Sequence, residues 1–361
     1  MLDGVCAALV WSIASRLLSR RLAVLTTVFW VALPNRSTTR FWPATGGNVL
    51  ALLLVLVAAR VAVAAEVNLR RYVVIVVLAS VSALAYEGGI ALGALVCLYA
   101  IFRSEAGQRL VRLAIAAVGL GATAVWMATH TEKTGRLLPG SGKEIFLSAH
   151  FGRGVFPPAL IFLGLLVVAG AAWSLAAILL PSFRAGEEER LAVAGLVVLL
   201  AGAAPFLITG LAHGTSGLFD RGNLYADAGT AMVYAGVTGL LWRPRVAWSA
   251  LAGAAVLLVG ILAFQNVQDL EDFQRAGDDG RRLLAAVDAL SPAQRHHLVV
   301  APLPDRNGVS MFVADYDLQA ALALRYHEPR SLQHAAMAQT VAGARRVGGM
   351  ALRGRRLVPL R

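Results

Sequence analysis

A single carboxylate interrupts a long apolar stretch of this sequence. Between Tyr72 and Phe102, Glu87 is the only charged residue, and Gly88 and Gly89 follow it directly. At the centre of a membrane helix an ionisable side chain costs about 2.5–3.5 kcal/mol on insertion scales, and such residues usually mark functional sites. Since glycine tolerates the backbone of a bend, we predict that Glu87 lies at a break between two helices. It either faces a polar cavity, where it binds substrate, or reaches water at a hairpin tip.

A second group of polar residues lies in the segment HGTSGLFDRGN, which contains His213, Asp220 and Arg221. The guanidinium of arginine is permanently charged and donates hydrogen bonds in pairs, which suits a phosphodiester. Glycines allow backbone N–H groups to approach an anion. We predict that these three residues bind substrate, with Arg221 on a phosphate. The alternative is an ordinary turn in which they are solvated.

Two further residues are candidates for substrate binding. Asp227 follows Asn223 by four residues, so both can share one helical face. A buried aspartate should point into the bundle and find a partner there, for which Tyr225 is one candidate. The alternative places Asp227 at the water interface. Arg153 lies in a polar loop after EIFLSAHF, which is apolar enough to form an interfacial helix over a cavity.

The sequence gives little sign of a metal or a cofactor. His150 and His213 stand alone in separate loops, without the close-spaced ligand pair typical of metal sites. We therefore expect neither a protein-bound metal nor a cofactor.

The composition indicates which elements position these residues. The chain is 58% hydrophobic and only 15% charged, whereas soluble domains average about 25% charged residues. Its net charge of +12 comes from arginines between the apolar runs, as in the loops of membrane proteins. We predict an all-α polytopic membrane bundle of about ten segments that binds no nucleic acid. The segments are 4–15, 22–33, 48–65, 72–86, 88–102, 113–130, 156–180, 191–212, 223–241 and 246–264.

The short basic connections orient the bundle. Placing them all on the cytoplasmic side satisfies the positive-inside rule only if 72–102 is two segments. This arrangement puts the loops 35–47, 131–155 and 213–222 outside the cell membrane, together with the C-terminus. It places Ser141 outside and Gly186 inside.

The polar composition of the C-terminal part predicts a separate domain. We predict a transmembrane domain over 1–264 and an extracytoplasmic α/β-like domain over 265–361. In the latter, DLEDFQRAGDDGRRLLAAVDAL has helical spacing, HLVVAPL is typical of a buried strand, and VADYDLQAALALRYH of a second helix. The basic end RRVGGMALRGRRLVPLR suits contact with anionic lipid headgroups.

Three stretches resemble the GT-C superfamily of membrane glycosyltransferases, which includes the protein O-mannosyltransferases. LLSRRLAVLTTVFWVALPNRSTTRFWPATGGNVLALLLVLVA resembles their early helices, and SALAYEGGIALGAL a segment in which they carry a glutamate before a short helix. GLFDRGNLYADAGTAMVYAG is similar to their arginine-bearing outer loop. The similarity covers roughly 10–264. It implies transfer of a hexose or pentose from a polyprenyl-phosphate sugar at the outer face of the plasma membrane.

The resemblance also sets out what to expect of catalysis. Members of the superfamily begin with a further helix and a first outer loop that carries the acidic catalytic base. No residue here matches that base, so we expect a chain that lacks those parts, and its catalytic residue is unknown. One alternative is a non-catalytic membrane scaffold that binds lipid or a partner. A transporter is another, although only the 72–102 pair looks broken and transporters commonly repeat such a pair.

Overall fold

The computed structural model describes most of the chain. The described residues are 2–33, 46–64, 66–86, 88–130, 170, 185–209, 223–242, 248–304, 309, 311–312, 315–327 and 334–360. The chain divides into two compact units, Met1–Val267 and Gln268–Arg361.

The described part of the first unit consists of α-helices. They are α1 Leu2–Leu17, α2 Arg20–Ala32, α3 Gly46–Ala62, α4 Leu69–Ala85, α5 Gly89–Phe102, α6 Ala106–His130, α7 Glu187–Thr209, α8 Asn223–Leu241 and α9 Trp248–Val287. Each contains or overlaps a predicted apolar segment, and the predicted break inside 72–102 separates α4 from α5. The remaining predicted segment, 156–180, lies outside the described residues except for Gly170.

The helices differ in their capacity to cross a membrane. Among the described residues, only Ala106–Met127 of α6 is long and apolar enough to do so by length and composition. The helices α3 and α5 are apolar but shorter, with 17 and 14 residues. The structure therefore shows a mostly helical chain with a small sheet and one candidate membrane span.

Close contacts fix the relative directions of α4 and α5. A Cβ atom added at Gly89 would lie 2.1 Å from the Ser82 Oγ atom, and one at Gly93 would lie 2.9 Å from the Ala79 Cβ atom. The early part of α5 thus faces the late part of α4, and the two helices are antiparallel. Because neither glycine has a side chain, the helices approach closely at the break.

The helices α4 and α6 run in the same direction. The Arg112 guanidinium lies over the Tyr72 ring, 5.4 Å from its centroid. One turn later on α4 and two turns later on α6, a Cβ atom at Gly119 would lie 2.6 Å from a Val76 methyl group. Together with the antiparallel α4 and α5, this brings the α3–α4 and α5–α6 connections to one end of the unit.

Glycines also form the interface between α7 and α8. A Cβ atom at Gly202 would lie 2.4 Å from the Tyr225 carbonyl oxygen, and one at Gly229 would lie 2.2 Å from the Leu199 nitrogen. Neither backbone could come so close if a side chain intervened. Small residues at such crossings are typical of helices packed in membranes.

The core of the first unit lies among α2, α3 and α8. Phe29, Trp30, Leu52 and Tyr225 are fully buried or nearly so. The Phe29 ring contacts the Tyr234 ring, with 5.6 Å between centroids and an angle of 57° between the planes. Such tilted aromatic pairs add to the free energy of packing beyond the area they bury.

The second unit is a small α/β domain. It contains the end of α9, followed by α10 Pro292–His296, β1 Val299–Val300, α11 Asp315–Tyr326, β2 Ala336–Met337, α12 Val341–Arg346, β3 Met350–Arg353 and β4 Arg356–Pro359. The strand order is β2-β1-β3-β4. β1 is parallel to β2 and β3, and β3 forms an antiparallel hairpin with β4. Gly354 provides the positive φ of 62° in the hairpin turn.

The predicted helix, strand and second helix of this domain are present as the end of α9, β1 and α11. Leu283, Leu298, Val300, Leu318 and Leu322 from these elements are buried in its core. The basic end, for which no secondary structure was predicted, contains the last two residues of α12 and both strands of the hairpin.

Candidate functional site

Of the six predicted site residues, the structure describes Asp227. Glu87, Arg153, His213, Asp220 and Arg221 lie outside the described residues. Asp227 lies near the start of α8 and is fully buried, with 0% of its surface exposed. Of the two alternatives for Asp227, the structure thus has the interior position, and substrate binding by Asp227 stays a prediction.

Two tyrosines bring the predicted site segments together. The rings of Tyr86 and Tyr225 are stacked, with centroids 5.9 Å apart and an angle of 6° between their planes. Tyr86 directly precedes Glu87 in the sequence, and Tyr225 precedes Asp227 by two residues. The end of α4 and the start of α8 therefore meet, although they are far apart in the sequence.

A buried asparagine completes a polar cluster, which we define as Asn48, Tyr86 and Tyr225. The Tyr225 hydroxyl donates a hydrogen bond of 3.0 Å to the Asn48 carbonyl oxygen. Asn48 is only 5% exposed, and among the described residues its side-chain Nδ2 has no hydrogen-bond partner. Because an unsatisfied buried donor is costly, this amide is suited to donate to a bound ligand.

The ends of α3, α4 and α5 are held together beside the cluster. The Ser82 hydroxyl of α4 donates a hydrogen bond of 2.7 Å to the Ala51 carbonyl oxygen of α3. Gly89 of α5 leaves the space that the Ser82 hydroxyl occupies. This bond and close packing fix the position of Tyr86, whose backbone N–H ends α4 by donating to the Ser82 carbonyl oxygen.

An apolar cavity of about 330 Å³ begins one helical turn from the polar cluster. On α3 its wall includes Leu52, which follows Asn48 by four residues and so shares its helical face. On α8 its wall includes Ala228, the neighbour of Asp227. The lining also includes Val10, Thr26, Val55, Ala59, Val63, Leu92, Tyr99, Val198 and Met232.

The cavity has almost no polar surface. The Thr26 hydroxyl in its wall already donates to the Leu22 carbonyl oxygen at 2.8 Å. From Leu52 to Ala62 the lining of α3 extends for about 15 Å at 1.5 Å per residue. An elongated cavity of this kind suits an aliphatic chain, and its volume falls in the range of about 300–1,000 Å³ typical of ligand pockets.

The sequence analysis did not select two members of the cluster, Asn48 and Tyr86. Asn48 is the polar residue at the start of the apolar run GGNVLALLL, a position from which a functional role could have been proposed. Tyr86 had no such signal beyond its position beside Glu87. Tyr225 was considered only as a partner for Asp227.

A separate set of charged residues stabilises the second unit. Asp288 accepts hydrogen bonds from Arg325 Nε at 2.9 Å, Arg325 Nη2 at 2.5 Å and the Tyr326 hydroxyl at 2.7 Å. The Arg295 guanidinium lies over the Tyr326 ring, 3.8 Å from its centroid. The hydrogen bonds from Arg325 and then Tyr326 lower the pKa of Asp288 to about 2. This arrangement links α11 to the segment after α9.

We searched the described residues for groups of side chains that could bind a metal ion. No group of three or more histidine, cysteine, aspartate or glutamate residues is placed there to hold an ion. The histidine rings of His297 and His334 are stacked 5.6 Å apart, but they form only a pair.

The chain has no significant match to a protein-family model, to a curated protein or to a solved structure.

Proposed function

We propose that this chain is a multi-pass plasma-membrane protein, similar to GT-C glycosyltransferases, that binds a polyprenyl-phosphate-linked sugar. In this proposal the isoprenoid chain occupies the apolar cavity, and the phosphate and sugar lie at the polar cluster, on the outer side. The observation that carries the proposal is the position of the apolar cavity one helical turn from buried polar groups. A ligand that fills both must have a long apolar tail and a polar head.

The outer surface of the helices supports a membrane location. Leu110 and Val118 on α6 are 77% and 72% exposed, and many other large apolar side chains of the first unit are also exposed. Only 17% of the most apolar stretch of α6 is buried, so this helix does not serve as a core helix of the unit. Apolar patches of such extent on a helical surface mark contact with lipid or with another protein.

The apolar cavity gives the tail its binding energy. Burial of each methylene or methyl group contributes about 0.8 kcal/mol, and the Thr26 hydroxyl in the wall is already hydrogen-bonded to the Leu22 carbonyl oxygen. The narrow, elongated lining of α3 matches a linear chain better than a compact ligand. Sugar and phosphate have no place within it, because they would lose their hydrogen bonds to water there.

The polar head of the ligand requires hydrogen-bond donors and positively charged groups from the protein. The Asn48 amide supplies a buried donor, and Arg221 precedes the first residue of α8 by two positions in the sequence. Sugar transfer also needs a general base for the acceptor hydroxyl and positive charge for the leaving phosphate. The proposal concerns binding of the lipid-linked sugar, a property that a transferase and a non-catalytic binding protein share. Measurement of sugar turnover separates these two possibilities.

The test is to fill the apolar cavity. Ala59 lines the cavity on α3, whereas Val77 on α4 is 53% exposed and faces away from it. We expect Ala59→Phe to weaken binding of a polyprenyl-phosphate analogue at least about tenfold, since the loss of two buried methylene contacts already accounts for that factor. Val77→Phe, the matched control, should bind like the wild type.

Binding is measured on purified protein in nanodiscs, with thermal unfolding as a check that each variant folds. Asn48→Ala provides an independent measurement at the polar end, where it should lower affinity for the phosphate-bearing analogue but not for the free polyprenol. If Ala59→Phe and Val77→Phe bind with equal affinity, the isoprenoid chain does not occupy the apolar cavity and the proposal fails.

A further inference from the structure

A second cavity, mainly polar, lies at the end of the first unit opposite to the polar cluster. It has a volume of about 320 Å³ and lies between the α3–α4 and α5–α6 connections. Asn68 in its wall caps α4, and Tyr86 follows the other end of that helix, about 26 Å away at 1.5 Å per residue. Its polar lining comprises Glu66, Asn68, Arg103, Ser104, Glu105, Gln108 and Arg112, and we call it the polar cavity.

Arg112 is the buried member of this lining, with only 2% of its surface exposed. Its Nη2 donates to the Val67 carbonyl oxygen at 2.5 Å and to Gln108 Oε1 at 2.7 Å, and its Nη1 donates to the Ala100 carbonyl oxygen at 3.4 Å. Its Nε is buried and has no hydrogen-bond partner in the part of the chain that the structure describes. Within the described residues no carboxylate forms an ion pair with this guanidinium. A buried charge of this kind is costly unless a counter-charge reaches it.

Arg103 provides a second guanidinium, which is exposed. Its Nη1 donates to the carbonyl oxygens of Ala62 and Ala64 at 3.3 and 3.2 Å, at the end of α3. Arginine often satisfies the last carbonyl groups of a helix in this way. The described residues offer no partner for its other nitrogens, which leaves one edge of the planar group available to an anion.

Two carboxylates in the same wall exclude a site for a simple anion. Glu66 and Glu105 are exposed, and neither forms an ion pair with Arg103 or Arg112 in the structure described. Glu105 accepts a weak hydrogen bond of 3.4 Å from Gln108. The four charged side chains sum to zero charge, so the lining as a whole favours neither a simple anion nor a simple cation. A ligand with both charges on one short group pairs with all four.

We propose that the polar cavity binds a phosphoethanolamine headgroup. The phosphate accepts hydrogen bonds from Arg103 and Arg112, and the primary ammonium group donates to Glu66 and Glu105. Charge-assisted hydrogen bonds of these types are about twice as strong as neutral ones. Since the cavity lies where helices end, a phospholipid can present its headgroup there while its chains remain beside the exposed apolar helices. The proposal depends on the membrane location proposed above but not on a sugar-lipid substrate.

The experiment uses purified, delipidated protein and native mass spectrometry of added lipids. The probes are phosphatidylethanolamine and phosphatidylcholine, whose headgroups differ only in methylation of the amine. Water-soluble glycerophosphoethanolamine and inorganic phosphate serve as competitors. We expect phosphatidylethanolamine to bind about tenfold more tightly than phosphatidylcholine, because only the primary ammonium can donate to the carboxylates.

The variants separate the two halves of the headgroup. Arg103→Gln should weaken binding of both lipids about tenfold, whereas the double variant Glu66→Gln with Glu105→Gln should remove only the preference for phosphatidylethanolamine. Arg70→Gln is the matched control, since Arg70 is exposed on the first turn of α4 but does not line the polar cavity. Thermal unfolding verifies that each variant folds. Because Arg103 also binds carbonyl groups at the end of α3, the double glutamate variant gives a second test that leaves this contact intact.

Three results would overturn the proposal. Arg103→Gln could behave like Arg70→Gln, or the double glutamate variant could keep the lipid preference. Alternatively, inorganic phosphate or glycerophosphoethanolamine could compete as effectively as the intact lipid, which would indicate a soluble ligand. Binding of the polyprenyl-phosphate analogue is measured in the same variants and should not change. Failure at the polar cavity is thereby distinguished from failure of the proposed function.

Discussion

The Tyr86 ring lies almost parallel to the Tyr225 ring, with 5.9 Å between their centroids. This contact joins the helical break after α4 to the first turn of α8. Stacked aromatic pairs contribute about 0.5–1.5 kcal/mol beyond the area they bury. The pair is thus a link between the two segments in which the sequence analysis placed most of its candidate residues.

Replacement of Tyr86 by leucine tests this link. Tyr86→Leu loses the stacked ring, and we expect a loss of unfolding free energy of up to about 1.5 kcal/mol and weaker binding of the polyprenyl-phosphate analogue. Tyr225→Phe keeps the stacked rings but loses the 3.0 Å hydrogen bond to the Asn48 carbonyl oxygen, so it should reduce binding less. Thermal unfolding and analogue binding check both variants. A larger binding defect in Tyr225→Phe than in Tyr86→Leu would contradict the role given to stacking.

The glycine interface of α7 and α8 gives a matched pair of substitutions. A Cβ atom at Gly202 would meet the Tyr225 backbone, whereas one at Gly121 of α6 would meet nothing within 4 Å. We expect Gly202→Ala to destabilise the protein by about 1–3 kcal/mol, the usual cost of overpacking. Gly121→Ala should stabilise it by up to about 1 kcal/mol, since alanine favours a helix more than glycine. Thermal unfolding in detergent measures both, and equal shifts would show that the backbones can separate without cost.

The orientation of the bundle is tested by cysteine labelling. The basic connections predict that Gly186, before α7, faces the cytoplasm and that Ser141, outside the described residues, faces the exterior. In intact cells an impermeant thiol reagent should therefore label Ser141→Cys but not Gly186→Cys. Both native cysteines, Cys6 and Cys97, are buried and give a low background. Labelling of Gly186→Cys before permeabilisation would reverse the orientation.

The second unit should respond to acid through Asp288. Its pKa is lowered to about 2 in the folded protein, chiefly by Arg325, whereas an aspartate in an unfolded chain titrates near 3.9. A carboxyl group with a lowered pKa stabilises the fold fully above its unfolded pKa, and this contribution is lost as the pH falls from about 4 to about 2. Because the pair is largely exposed, the effect is small.

Hydrogen exchange in α11 of the full chain measures this contribution. After correction for intrinsic exchange rates, wild-type protection should fall between pH 4 and pH 2, and Asp288→Asn should show the lower protection already at pH 6. An Asp272→Asn variant is the control, since the Asp272 contact with Arg275 lies within α9. If Asp288→Asn retains the acid-dependent loss, another carboxyl group is responsible.

The helices could be predicted because runs of apolar residues are a strong local signal. The start of α6 could not. The arginines before residue 113 were assigned to a cytoplasmic connection, but α6 begins at Ala106 and Arg112 is buried inside the unit. Its guanidinium can be buried there because the free carbonyl groups of Val67 and Ala100 accept its hydrogen bonds. Sequence spacing carries no information on that tertiary arrangement.

The short strands and the polar cluster escaped prediction for different reasons. Strands β2, β3 and β4 have two to four residues, too few for an alternating pattern to be visible. The stacking of Tyr86 on Tyr225 depends on the packing of α3 against both α4 and α8, which a local pattern does not specify. The charged residues therefore indicated the two segments that the structure brings together. They gave no indication of the contact between Tyr86 and Tyr225 that joins these segments.

The unequal lengths of the helices have a consequence for the surrounding bilayer. The helices α2 and α5 have 13 and 14 residues and are about 20 Å long, whereas the 25 residues of α6 extend for about 38 Å. A hydrocarbon core is about 30 Å thick, so in the proposed membrane arrangement lipid beside the short helices becomes thinner and α6 tilts. Hydrophobic mismatch of this kind costs a fraction of a kcal/mol per Å and sorts proteins among membranes. Short acyl chains should thus reduce the thinning beside α2 and α5 but increase the tilt of α6, so that the two mismatches respond to bilayer thickness in opposite directions.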